Sequence, residues 1–119
     1  MAYRTIVTGI GELVPEMAAE GLLIVFNGNA PAELADISIL HTAAGLEKDV
    51  QPGDEVLFGK TRFTVTAVGD EANYTLRKMG HCSFCFNGAS VAELPGQIVV
   101  SGGNMPEVSI GDAFEIHFQ

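Results

Sequence analysis

An imidazole can accept a phosphoryl group, relay a proton or hold a metal, and this chain offers three, His41, His81 and His117. His41 has the most suggestive setting. In "ISILHTAAGL" (residues 37–46) an apolar, β-branched run ends on the histidine, and threonine, two alanines and a glycine follow it. If the run is extended, Ile37, Ile39 and His41 share one face, which puts the ring at the rim of an apolar surface at a strand end. That setting suits a nucleophile toward phosphorus: one ring nitrogen is free, a hydrogen bond orients the other, and small neighbours admit a partner. Apolar surroundings would also keep water from a labile phosphoramidate. The alternative is an ordinary histidine, partly buried, with its ring nitrogens satisfied, and the residues alone leave both readings open.

The remaining reactive residues point less far. Cys82-x-x-Cys85 follows His81 directly. On a strand, residues three apart face opposite sides, a structural zinc site needs two further ligands, and a redox Cys-x-x-Cys opens a helix in a βαβ setting. Ordinary strand residues are expected there, with no metal. Glu33 and Glu93 fall at matching places in two similar segments, as do Gly53-Asp54 and Gly111-Asp112, so turn structure rather than acid/base chemistry is expected of them. "GIGE" lacks the third glycine and the long helix of a dinucleotide site, and no cofactor is expected. His117, within "FEIHF", is read as structural.

These residues need a scaffold, and composition limits what it can be. The chain has 119 residues, 47% apolar and 18% charged, enough for one domain with a core and too short for two ordinary ones. Net charge is −9, and the six basic residues are scattered along the chain. A nucleic-acid backbone or an anionic membrane needs a basic patch, so neither is an expected partner. The longest apolar run, "LLIVF", is far below the ~20 residues of a membrane helix, and "MAYRTIVTG" lacks the zones of a signal peptide. With two cysteines that make no disulfide framework, the chain reads as soluble and cytoplasmic.

The scaffold repeats itself. "RTIVTGIGE" (residues 4–12) recurs as "RFTVTAVGD" (62–70), "FNGNAPAEL" (26–34) as "FNGASVAEL" (86–94), and "VQPGDEV" (50–56) as "VSIGDAF" (108–114). The three blocks keep their order at an offset of about 58 to 60 residues. Each half reads as a strand, a short helical segment, a strand running into Asn-Gly, an Ala-Glu-Leu turn, a strand, then Gly-Asp and a last strand. The Asn-Gly pairs are read as turns with positive φ. Helix is expected in "DEANYTLRKMG", with Asp70 as N-cap and Gly80 as stop, and more briefly in "ELVPEMAAEG", where Pro15 interrupts it.

Neither half, at about 60 residues, buries a strand-rich sheet well, and open edges invite association. The expected fold is therefore mainly β: one domain, 1–119, a closed barrel built from tandem repeats 1–59 and 60–119 about a pseudo-two-fold axis, with one or two short helices. The repeat also permits an internal comparison. Features common to both halves are read as scaffold, and features of one half as candidates for function. "ISILHTAAG" lies over "QIVVSGG" (97–103), placing His41 where the second half has Ser101, so the scaffold itself does not demand an imidazole there.

Along most of its length the sequence resembles the enzyme IIA component of the glucitol/sorbitol-specific phosphotransferase system. The segments that carry the likeness are "TGIG", "FNGNAPAELADISILH", "GLEKDVQPGDEV", "FTVTAVGDEANYTLRKMGH" and "FNGASVAELPGQIVVSG". Together A-x-L…I-x-H, P-G-D, T-A-V-G, L-x-x-x-G-H and E-x-P-G-x-x-x-V-x-G are specific, although each alone is weak. The resemblance implies that His41 matches the family's phosphorylated histidine. It would take phosphoryl from the phosphohistidine of the carrier protein HPr and pass it to a cysteine of the sugar-specific IIB component, which serves the membrane IIC component in uptake of glucitol/sorbitol. His81, in "MGHCSF", also falls on a family histidine and could hydrogen-bond phosphoryl oxygens, a useful role because no Lys or Arg lies between Arg4 and Lys48. Where some members carry another histidine two residues after the first, this chain has Ala43, leaving that place to Thr42 or to backbone N–H groups near Ala44 and Gly45. Docking is expected on an exposed apolar patch at residues 40–46. The competing expectation is a non-catalytic β-barrel adaptor in which His41 is structural.

Overall fold

The alternation in the two longest repeated blocks becomes strands that bury every second residue. In a computed structural model that describes residues 1–119, β1 (Ala2–Ile10) buries Tyr3, Thr5 and Val7, and β5 (Thr61–Val68) buries Phe63, Val65 and Ala67. Between and after them run α1 (Val14–Ala19), β2 (Leu22–Asn27), α2 (Ala32–Ala35), β3 (Ser38–His41), β4 (Glu55–Phe58), α3 (Ala72–Met79), β6 (Cys82–Cys85), β7 (Gln97–Ser101) and β8 (Ala113–His117). The eight strands close one barrel in the order β1-β3-β2-β6-β7-β5-β4-β8. Closure leaves no sheet edge exposed, as expected for a chain of this size. Phe58, Phe84 and Phe114 meet inside it, with Phe58 and Phe114 stacked at 5.1 Å. No helix is long and apolar enough to cross a membrane.

The two halves pair their strands in the same way. β1 meets β3 antiparallel with Val7 opposite His41 and Gly9 opposite Leu40, and β5 meets β7 with Val65 opposite Val100 and Ala67 opposite Val99, each pair interrupted by a register shift at the same place. Parallel pairs β2–β3 and β6–β7 follow, and β2 crosses to β6 antiparallel. This register corrects the alignment made on sequence. The residue that stands in the second half as His41 does in the first is Val100, not Ser101; the connection after the second Asn-Gly is one residue shorter, which a gapless overlay cannot place. The N–H of Gly28 donates to His41 O and that of Gly88 to Val100 O, both at 3.0 Å, which fixes the correspondence independently.

Local chemistry accounts for other departures. Three short helices form rather than one or two, because the first "AEL" is helical as α2, where the Ala35 N–H donates to Pro31 O at 2.9 Å. The second copy has Pro95 in place of Ala35; proline has no N–H to close that turn and disfavours the helical region at Leu94. Pro15 lies in the first turn of α1, where its missing N–H is harmless, so it starts the helix instead of interrupting it. Glu71, not Asp70, occupies the N-cap of α3, without a side-chain cap bond. Of the two Asn-Gly pairs only the second has positive φ, at Gly88. The Gly-Asp turns form as expected: Asp54 Oδ2 accepts the Gln51 N–H at 2.9 Å, and Asp112 Oδ2 the Ser109 N–H at 2.8 Å.

Candidate functional site

β3 carries His41 into the barrel. Ile39 and His41 share its inward face, both fully buried, and β3 is flanked by β1 and β2, so Val7 and Asn27 are the cross-strand partners of His41. The imidazole packs edge-on to Phe114 at 5.1 Å and to Tyr3 at 6.4 Å. Its Nδ1 lies 2.8 Å from the carbonyl oxygen of Thr42 and its Nε2 2.7 Å from that of Gly80. A neutral imidazole has one N–H, so two carbonyl acceptors exceed its donors by one. One nitrogen lone pair of a neutral ring then faces a carbonyl oxygen. The expectation of a free nitrogen at a rim is corrected here: neither nitrogen is free, and the ring lies inside.

Gly80 brings the second half of the barrel to this ring. As the left-handed C-cap of α3, with φ +64°, it turns its carbonyl onto Nε2 while its N–H closes the helix on Leu76 O. A Cβ at Gly80 would stand 2.8 Å from His41 Cε1 and 2.7 Å from Asn27 Cγ, so only glycine fits. Asn27 completes the group. Its side-chain Oδ1 is buried with no hydrogen-bond partner, beside the same spot.

Thr42 lies at the exit of β3, its Oγ1 accepting the Ile6 N–H at 3.0 Å with its side chain exposed. Residues 42, 43 and 45 are exposed, whereas Leu46 is buried in the core, so the small-residue surface is narrower than the 40–46 patch expected on sequence. Arg77 fastens the chain beyond it, donating from Nε to Leu46 O at 3.0 Å and from a terminal nitrogen to Asp49. His81 is half-buried; its Nδ1 is 3.1 Å from Val25 O and its ring lies on Phe26 at 4.6 Å. The two imidazoles share no hydrogen bond or ring contact. Gly80 stands between them in the chain.

Other reactive groups are spread around the barrel. Cys82 points inward, fully buried, and desolvation pushes its thiol far up. Tyr3 is pushed up to about 12, first by burial and then by the Cys82 charge it would face. Cys85, three residues on, is only partly buried. No three His, Cys, Asp or Glu side chains converge as a metal would require. His117 Nε2 bonds Glu115 Oε1 at 2.7 Å on β8, away from His41. The sequence pattern singles out His41 but neither Asn27 nor Gly80, which the structure places against it. By that pattern Asn27 reads as a turn residue, because Asn87 matches it, and Gly80 as a helix stop alone. The signal that separates Asn27 from Asn87 is three-dimensional: Asn87 Oδ1 accepts the Ala89 N–H at 3.0 Å, the bond that Asn27 forgoes.

The family model described as "PTS system glucitol/sorbitol-specific IIA component" matches residues 2–115. Curated relatives, the glucitol/sorbitol-specific EIIA components of Shigella flexneri and Escherichia coli (strain K12), are each 33% identical over 113 residues, covering 95% of this chain and 92% of the relative. A crystal structure of a PTS system IIA component from Enterococcus faecalis V583 superposes with a TM-score of 0.84 at 24% identity, over 97% of this chain and 98% of that one, which supports the fold.

Proposed function

Because the chain belongs to the family of glucitol/sorbitol-specific IIA components of the phosphotransferase system, we propose that it is a phosphocarrier that accepts a phosphoryl group on His41 from phospho-HPr and passes it to the IIB component. In the first step a lone pair of His41 attacks phosphorus, the P–N bond to the donor imidazole breaks, and that imidazole keeps the bonding pair. One proton leaves His41 and one reaches the departing donor ring, so charge balances. In the second, a IIB cysteine sulfur attacks, the P–N bond to His41 breaks, and the thiol proton ends on His41.

The observation that carries this reading is the fully buried imidazole at a place where the matching strand pair holds Val100. A scaffold that closes equally well with valine has no packing need for a histidine with two carbonyls aimed at it. Attack requires the carbonyl facing the reacting nitrogen to withdraw, and docking of a partner on exposed residues 42, 43 and 45 is the event that would displace it. The walls of Tyr3 and Phe114 would then keep water from the phosphohistidine. Thr42 retains its hydroxyl proton for a phosphoryl oxygen. His81 is the supporting imidazole: the Gly80 carbonyl lies on His41 Nε2, and movement of that residue carries His81 with it.

The adaptor reading draws on one observation, that both ring nitrogens are already satisfied. Incubation with phosphoenolpyruvate, enzyme I and HPr separates the two. The phosphocarrier gains an acid-labile mass of one phosphoryl group that His41→Ala lacks; the adaptor gains nothing.

A further inference from the structure

We propose that Asn27 is a ligand of the phosphoryl group, donating a hydrogen bond from its side-chain amide to a phosphoryl oxygen on His41. This rests on the reading of His41 as the acceptor. Asn27 is the cross-strand partner of His41 on the parallel pair β2–β3. Its amide meets the imidazole edge at one spot: the position a Gly80 Cβ would take is within 2.8 Å of His41 Cε1 and within 2.7 Å of Asn27 Cγ. The amide oxygen there is buried and unpaired. Burying a polar atom without a partner is unfavourable; of the three buried side-chain oxygens left unpaired, those of Tyr3, Asn27 and Ser38, the Asn27 amide is the one that meets the His41 imidazole edge beside Gly80, and it marks a place where a partner arrives.

The second half supplies the control. Asn87 holds the same place before its glycine, and its Oδ1 closes the local turn on the Ala89 N–H. In the first half the same residue type is the last residue of β2, followed by a glycine without positive φ, and is held toward His41. A half-turn of the amide exchanges Oδ1 for Nδ2, so the group that rests as an unpaired acceptor presents two N–H donors once an anion arrives. Those donors fill a real gap. No Lys or Arg is among the hydrogen-bond or ring contacts of His41, and all three arginines are paired with carboxylates, Arg4 with Glu115, Arg62 with Glu55 and Arg77 with Asp49. Gly80 fits the same account, since any side chain there would strike both the amide and the imidazole and part them. Asn27 makes and breaks no covalent bond; the transfer is the one written above.

The test uses the full chain with phosphoenolpyruvate, enzyme I and HPr, following the rate of phosphorylation and the ³¹P resonance of the product for wild type, Asn27→Asp, Asn27→Ser and Asn87→Asp. Asn27→Asp keeps the shape and replaces donors by a negative charge, so phosphorylation slows by about tenfold to hundredfold and the ³¹P resonance moves. Asn27→Ser keeps a donor and recovers part of the rate, while Asn87→Asp leaves rate and resonance unchanged. A wild-type rate and resonance for Asn27→Asp would overturn the role of Asn27 and leave His41 standing. Phosphorylation of His41→Ala, or none of wild type, would overturn both.

Discussion

Replacing Gly80 by alanine tests the packing that joins the two halves of the barrel at His41. Two costs add. Alanine in the left-handed region loses about 1–2 kcal/mol relative to glycine, since φ is +64°. The new Cβ also lands 2.8 Å from His41 Cε1 and 2.7 Å from Asn27 Cγ, and overpacking of that kind costs about 1–3 kcal/mol. Gly21 isolates the first cost: it follows α1 with φ +81°, and the methyl of an alanine there would have nothing within 4 Å. For a chain of this length each kcal/mol moves the melting temperature by roughly 4 °C. Scanning calorimetry of Gly80→Ala should therefore show a fall of roughly 8–20 °C, against roughly 4–8 °C for Gly21→Ala. Equal losses in the two variants would mean that Gly80 is not pressed against His41 and Asn27, and the geometry of the site would be wrong.

Other perturbations follow from the same contacts. Tyr3 is raised from 10 to about 12, so the unfolded chain loses that proton first as pH rises; the stabilisation is complete below pH 10 and roughly 2–3 kcal/mol of it is lost as pH rises to 12. Urea titrations of Tyr3→Phe should be flatter across that window and, at pH 7, within about 1 kcal/mol of wild type, because the hydroxyl it removes is unpaired; an unchanged alkaline slope would refute the assignment. Asp54 accepts backbone N–H groups of Gln51 and Gln119, so Asp54→Ala should cost about 2–3 kcal/mol in chemical denaturation, and more than Asp112→Ala, which has one such bond. Ala43→Asp, on the exposed surface beside Thr42, should slow transfer from phospho-HPr with no loss of melting temperature; an unchanged rate would place docking elsewhere.

Much of the barrel was legible because period-two alternation and internal repetition are local, redundant signals. The strands of Val7 and Val65 could be read from the pattern alone, though not which face turns inward, since Ile6 and Ile10 are exposed while Thr5 is buried, and the Gly-Asp turns could be read from their residue types. Registers were harder. The bulge is common to both halves, but the run from Gly88 to Val100 is one residue shorter than that from Gly28 to His41, which is why a gapless overlay set His41 over Ser101. The site divided in the same way. His41 stood out as a break in the repeat, but its burial depends on Gly80, a contact across 39 residues of chain that no local pattern encodes. Asn27 was hidden by the very comparison that exposed His41. Identical residues in two halves look like scaffold, and only the hydrogen bond that Asn87 makes and Asn27 lacks tells their tasks apart.

The central claim is that phosphorus is carried on the imidazole of His41. With ¹⁵N-labelled protein phosphorylated through HPr, a ¹H–¹⁵N long-range correlation spectrum resolves the three histidine rings, and ³¹P–¹⁵N coupling identifies the nitrogen bonded to phosphorus. Coupling to a ring nitrogen of His41 is expected, with the rings of His81 and His117 uncoupled. Coupling to either of those rings, or phosphorus on no histidine, would contradict the claim.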